Sequence, residues 1–274
     1  MTRRRIQRLE RYMEANVLND HKFICRHYDE CLASTKGRGR FHEGQLSHVG
    51  HRYDLVRNGK PFRIVVVGQE YAARTGAGRL MRPGVSLDER YSMIRDGSGA
   101  DARYYADSQH PPRNPHMRGT TSALRILFGG EPGSDYEGEW VSPERGRPFH
   151  MFDGFALVNI LLCSALDAKN NGASTAVMRG NCLEHFRASL EILQPTILVL
   201  QGVGVRRWIT PVLEEVRSLR GGLEEALVAG GRTIVCALSH PAAHGSVRWG
   251  DNLEAPYLVS TVEPKLREVL RRAG

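Results

Sequence analysis

The chain has 274 residues, 38 of them basic and 30 acidic, for a formal net charge of +8; 41% are hydrophobic and 25% charged. This is an ordinary globular composition, in a chain long enough to bury a core without disulfide staples. No run approaches the roughly 20 apolar residues of a membrane span, and apolar runs such as Ile64-Val65-Val66-Val67 exclude a disordered chain.

Taken in chain order, the opening residues carry charge but no apolar stretch, so no secretory leader is expected. Residues 3–17 predict an amphipathic helix with Ile6, Leu9, Tyr12 and Met13 on one stripe. Its Arg3, Arg4, Arg5 and Arg8 suit solvent or a phosphate backbone. Residues 22–60 are polar and glycine-rich, an irregular segment with Cys25 and Cys31 near its start. Residues 63–67 predict a buried strand that runs into Gly68-Gln69-Glu70-Tyr71. Residues 95–119 predict a loop, and Thr120 or Thr121 caps a helix ending at Phe128 before Gly129-Gly130. A polar loop over 130–148 precedes a second buried strand, residues 155–162. A small-residue loop follows over 164–180, then a helix over 182–193 closed by Pro195. Strand 196–200, helix 205–219, strand 233–238 and a final helix over 262–272 complete the chain.

Strands alternating with helices predict an α/β fold with a central, mostly parallel sheet flanked by helices. Residues 62–274 form the expected single domain, and residues 1–61 an N-terminal helical and irregular extension packed on it. Ligands of such sheets lie beyond the carboxyl ends of the strands. The loops after Val67, Leu162, Leu200 and Leu238 therefore carry the functional candidates.

Asn159 interrupts an apolar strand, and a buried amide needs partners. His240 and His244 are four apart, but Pro241 between them argues against a helix presenting both to a metal. Five cysteines are too few for a secreted disulfide scaffold. Five residues separate Cys25 from Cys31 and 18 separate Cys163 from Cys182. That spacing leaves buried thiols, zinc and an iron–sulfur cluster all open. Cys236 reads as core. Gly202-Val203-Gly204 half-matches a dinucleotide fingerprint, but Arg207 occupies the third glycine's place, so a tight turn between strand and helix is the better reading.

The order of these elements, with the strand Val158-Asn159-Ile160-Leu161-Leu162-Cys163 and the later Cys182-Leu183-Glu184-His185-Phe186, resembles the iron–sulfur branches of the uracil-DNA glycosylase superfamily. Gly68-Gln69-Glu70-Tyr71 stands where that family has its water-activating motif, and Ser239-His240-Pro241 where it has His-Pro-Ser. The resemblance spans about residues 62–250, with Ala242 in place of the usual serine and no proline in the first motif. It implies a structural [4Fe–4S] cluster, or less fittingly zinc, on Cys25, Cys31, Cys163 and Cys182. It implies that Asn159 reads a flipped base in a pocket with Gly68, Tyr71 and His116. Glu70, with Gln69 beside it, would stabilise the sugar cation and orient water, and His240 would assist departure of the base. Arg248, Trp249 and His244 would meet DNA, Trp249 either entering the base stack or packing on the body.

The expected function is hydrolysis of the N-glycosidic bond of deoxyuridine, or a related deaminated base, in DNA. The protein would act as a monomer without a membrane, in the cytoplasm beside the nucleoid. A damaged-base binder with little turnover, and a metal-bearing nucleotide-binding oxidoreductase using Gly202 and Gly204, are the alternatives.

Overall fold

The computed structural model describes residues 1–20, 22–35, 40–43, 46–70, 86–97, 113–143, 146–166 and 174–274. The helices among them are α1 (Thr2–Asn16), α2 (Tyr28–Ser34), α3 (Leu87–Ser92), α4 (Pro115–Leu127), α5 (Ala176–Leu193), α6 (Val203–Trp208) and α7 (Glu263–Ala273). The main sheet has seven strands: β1 (His48–Val49), β2 (Ile64–Gly68), β3 (Phe155–Asn159), β4 (Ile197–Gln201), β5 (Glu214–Leu219), β6 (Leu223–Val228) and β7 (Gly231–Leu238). Their spatial order is β5-β6-β7-β4-β2-β3-β1.

The inner four strands, β7, β4, β2 and β3, are mutually parallel. β5 and β6 extend one side as antiparallel hairpins and β1 closes the other, also antiparallel. The sheet is therefore mixed around a parallel centre, and the predicted α/β class holds. β2, β3 and β4 are buried along their whole length, which is why they read as continuous apolar runs rather than alternating ones.

Alternation still sorts their side chains. Val65, Val67, Ala156, Val158, Leu198 and Leu200 face the layer that holds Leu9 and Met13 of α1 and Phe186 and Leu190 of α5. Ile64, Val66, Phe155, Leu157, Ile197 and Val199 face Leu124 and Leu127 of α4 and Leu266 and Val269 of α7. Two apolar layers thus sandwich one sheet, as the period of two along each strand requires. The N-terminal residues belong to this body: α1 buries Leu9 and Met13, and β1 pairs with Ala156 and Leu157. No helix among the described residues is long and apolar enough to cross a membrane.

The strand expected over 155–162 stops at Asn159, and residues 163–166 at the head of the expected 164–180 loop pair as a strand with residues 40–43. Three helical expectations also differ. The residues expected as one helix over 205–219 form α6, a short turn at Thr210–Val212 and the strand β5. Pro211 cannot continue the α-helix, and β5 is an edge strand with exposed side chains, so no buried stripe marks it. α5 begins at Ala176, capped by the Thr175 hydroxyl on Met178 N (3.1 Å), well before the expected 182. α4 begins at Pro115, not after Thr120 or Thr121: the Asn114 carboxamide accepts from Met117 N at 2.9 Å, and proline at the first helical position gives up no intrahelical bond.

The residue before that cap anchors the helix start. Arg113 pairs with Glu139 through Nε–Oε1 at 3.1 Å, and His150 Nε2 lies 2.7 Å from Glu139 Oε2, all three side chains buried. His150 Nδ1 accepts from Phe152 N, so Nε2 carries the hydrogen given to Glu139. Removing the carboxylate takes the Glu139 charge away from a buried guanidinium. Glu139→Ala is expected to cost about 3–5 kcal/mol of unfolding free energy, read from urea denaturation.

Candidate functional site

The parallel strands β7, β4, β2 and β3 end at one edge of the sheet, and four predicted site segments leave from there. At a strand spacing of about 4.8 Å, the ends of β3 and β7 are about 14 Å apart, with β2 and β4 between them.

Gly68 closes β2 opposite Asn159 at the end of β3. The chains stay paired beyond it: Ile160 N donates to Gly68 O (3.0 Å) and Leu161 N to Gln69 O (2.9 Å). A Cβ on residue 68 would lie 2.6 Å from Asn159 Oδ1, so only glycine leaves room for that amide. The Asn159 side chain is 9% exposed and makes no hydrogen bond to any described residue.

Glu70 is similarly placed. Gln69 Nε2 donates to Glu70 Oε1 at 2.6 Å, while Glu70 Oε2 is buried without a partner. Burial pushes the Glu70 carboxyl up to about 7, partly offset by the Gln69 hydrogen bond and by the charge of Arg179. Arg179, from the first turns of α5, was not found by sequence reasoning. It bonds Ser174 O and Oγ, and its guanidinium lies 4.8 Å over the Trp208 ring. Tyr71, expected as a pocket wall, lies outside the described residues.

The second group gathers at β4 and β7. Gly119 of α4 meets the chain at Pro241, where a Cβ would come within 2.5 Å of Pro241 Cβ. That close approach brings His116, in the first turn of α4, onto His240: the rings are 5.0 Å apart and 8° from parallel. His116 Nε2 contacts Gln201 Oε1 at 2.7 Å, and Gln201 Nε2 donates to Thr120 Oγ1 at 2.9 Å. His240 Nδ1 accepts from Ala242 N at 3.2 Å, which leaves the hydrogen on Nε2. Burial, with the neighbouring His240, lowers His116 to about 4; burial also lowers His240. Both imidazoles are neutral near pH 7. Sequence reasoning named His116 as a base-stacking candidate, and here its ring stacks on His240. It did not find Gln201 or Thr120, because a strand-end glutamine and a mid-helix threonine carry no local signal.

The DNA-contact candidates separate. Trp249 is a correction: it is 1% exposed, packs in the core, and its Nε1 donates to Ser239 O at 3.0 Å. The loop folds back on itself, with Trp249 N and Gly250 N both donating to Pro241 O and Ser239 Oγ to Val247 O. Trp249 packs on the body and does not reach a base stack. Arg248 is exposed but clasped by Asp251 at 2.8–2.9 Å through Nε. His244 is exposed at the loop's tip.

The four paired cysteines come together from three separate segments. The Cys163 thiol, just after β3, makes hydrogen-bond contact with those of Cys31 in α2 and Cys182 in α5, and Cys25 lies within electrostatic reach of Cys31 and Cys182. All are free thiols. Cys163, between two sulfurs, is held strongly protonated, while Cys31 is drawn down to about 7. Cys25 Sγ lies 3.3 Å from His185 Nε2, whose Nδ1 contacts Tyr12 OH at 2.8 Å. No ligand group of three or more is set around a common centre among the described residues. As a donor set, four converging reduced thiols fit a Cys₄ metal group. Cys236 is fully buried in the core, as expected. Gly202, at φ 136°, forms the tight turn into the six-residue α6.

No family model matches this sequence, and no curated protein does.

Because the folded pKa of Glu70 is raised, the folded state binds a proton that the unfolded state releases between about pH 4.5 and 7. Wild-type stability therefore falls as pH rises through that window. Glu70→Gln is expected to be more stable than wild type by about 1–3 kcal/mol at pH 8 and to show little difference below pH 4, measured by denaturant melts at both values.

Proposed function

We propose that this protein is a monofunctional DNA glycosylase acting on deoxyuridine or a related deaminated base. The supporting observation is Glu70 Oε2, buried without a hydrogen-bond partner at the strand edge where Asn159 closes β3. Buried polar atoms are ordinarily satisfied, and exceptions gather where a ligand supplies the partner. An amide offering both donor and acceptor matches the edge of a pyrimidine that does the same.

In this reading the target nucleotide leaves the helix and its base edge pairs with Asn159. Glu70, ionised, stabilises the developing oxocarbenium charge and orients the attacking water, with the Gln69 amide holding its other oxygen. The glycosidic electron pair leaves with the base, and His240 Nε2–H donates a hydrogen bond to the departing oxygen without needing to be a cation. The net charge of +8 favours the anionic polymer. Cys25, Cys31, Cys163 and Cys182 would hold a [4Fe–4S] cluster, which supplies a structural cross-link and no redox step. Its place would join the N-terminal segment and α5 to the end of β3.

A damaged-base binder with slow turnover is the second reading. It is favoured by the elevated pKa of Glu70, which leaves part of the population protonated near pH 7.

A base-release assay on duplexes carrying uracil, hypoxanthine or normal bases tests the proposal. Release from a deaminated duplex is expected, with Asn159→Ala and Glu70→Gln each slowing it about 10²–10³-fold. The wild-type rate should rise with pH through about 7 as Glu70 ionises. Selective binding with no free base moves the conclusion to the second reading, and full activity in both variants removes the mechanism. Separately, anaerobically purified protein should show a broad visible absorption and about four irons per chain, both lost in Cys163→Ser.

A further inference from the structure

Thr120 lies one helical turn after His116, and its hydroxyl donates back to the His116 carbonyl at 3.0 Å, closer than the 3.3 Å to Gln201 Oε1. A hydroxyl has one hydrogen. With that hydrogen given to the helix, Thr120 Oγ1 has only lone pairs to offer Gln201. In the structure the Gln201 amide turns its NH₂ to Thr120, at 2.9 Å, and its carbonyl to His116, at 2.7 Å. A carbonyl only accepts, so His116 Nε2 carries the hydrogen and Nδ1 is bare. The opposite amide orientation would set NH₂ against His116 and reverse the tautomer. Gln201 is wholly buried, so no solvent competes for these bonds.

We infer that Gln201, oriented by Thr120, is a positioning residue that holds His116 as the neutral Nε2–H tautomer in face-to-face contact with His240, so that the site meets its base with two uncharged rings. This rests on the glycosylase reading for its purpose, though not for its geometry. Among the described residues, the charged and titratable groups that act on His116 are His240 from the 239–250 loop and Arg90 from α3, and both oppose its protonation. Gln201 supplies the acceptor that a neutral ring needs without the negative charge that would draw a proton onto it. Held this way, His116 adds no cation beneath His240, whose own tautomer is set by Ala242 N. His240 then acts as a hydrogen-bond donor over the whole range in which Glu70 is ionised.

Imidazole ¹⁵N spectra and base-release kinetics on the full chain test this. Wild type should show His116 as the neutral Nε2–H form from pH 6 to 8. Gln201→Leu and Thr120→Val should give mixed or reversed tautomers and Thr120→Ser the wild-type form. The first two should lower kcat by about 10–100-fold with KM within about threefold, as expected of a misplaced group that acts in the transition state. Gln201→Glu keeps an acceptor and covers the case in which Gln201→Leu fails to fold. It should raise the His116 pKa well above about 4 and add a limb to the pH profile of kcat at the titration seen in the spectra. An unchanged tautomer in Gln201→Leu and Thr120→Val, or a shifted titration in Gln201→Glu with no matching limb, overturns the inference. If wild type releases no base from any duplex, the glycosylase reading fails by itself. The tautomer in Gln201→Leu then decides the positioning role alone: a change supports it and no change overturns it.

Discussion

Position 68 has no side chain, and the Asn159 amide stands where one would begin, 2.6 Å from the place a Cβ would take. This close approach follows from the parallel register of β2 and β3, which sets Gly68 opposite Asn159. The pairing continues past both strand ends through Ile160 and Leu161, so the turn that carries Gln69 and Glu70 is held by main-chain bonds rather than by its own side chains. The rest of the candidate site depends on that register. A slip of one residue would turn Asn159 to the other face of the sheet and put an apolar side chain at the edge.

Low polarity around the edge shapes its chemistry in two opposite ways. Burial raises Glu70 toward neutrality and lowers His116 and His240. Acid and base forms are thereby pushed together, so carboxyl and imidazoles are all near their uncharged states around pH 7. Environments that disfavour charge in the resting state are where a developing charge is felt most strongly, because little solvent screens it. Arg179 is the counterweight: its charge favours ionised Glu70, and its guanidinium is held over Trp208. The Arg113–Glu139–His150 group shows the other treatment of buried charge, in which an ion pair and an imidazole hydrogen bond satisfy one another. Its place just before the Asn114 cap fixes where α4 begins, and so where His116 stands.

Much of this was legible in the chain itself. The strands β2, β3, β4 and β7 are short apolar runs, and such runs mark buried parallel strands because both faces are covered. The residues that follow two of them, Gly68-Gln69-Glu70 and Ser239-His240, could therefore be placed at one edge from the sequence, whereas Asn159 was expected inside a strand running to 162 and closes that strand instead. Both cysteine pairs could be singled out as well. The stretch over 205–219 misled because its apolar residues keep a helical spacing through Val205, Ile209 and Val212, while β5 is an exposed edge whose pairing with β6 shifts register between Glu214 and Arg217. Trp249 misled in another way: an aromatic in a polar loop suggests a surface contact, but the loop folds back through Pro241 and buries it.

By itself the sequence determined the α/β class and pointed to Gln69, Glu70 and His240 in loops at the carboxyl edge, since strand and helix periodicities are local properties of the chain. Tertiary structure alone decided which polar side chains meet. Gln201 and Thr120 lie on a strand end and a helix turn 81 positions apart in the chain, and nothing in their own neighbourhoods marks them. The same holds for Cys31, Cys163 and Cys182, whose thiols come within electrostatic reach of one another only because α2, the end of β3 and α5 converge. A hydrogen bond needs its two atoms within about 3 Å and correctly oriented. That condition is set by packing between elements distant in the chain, which no local pattern records.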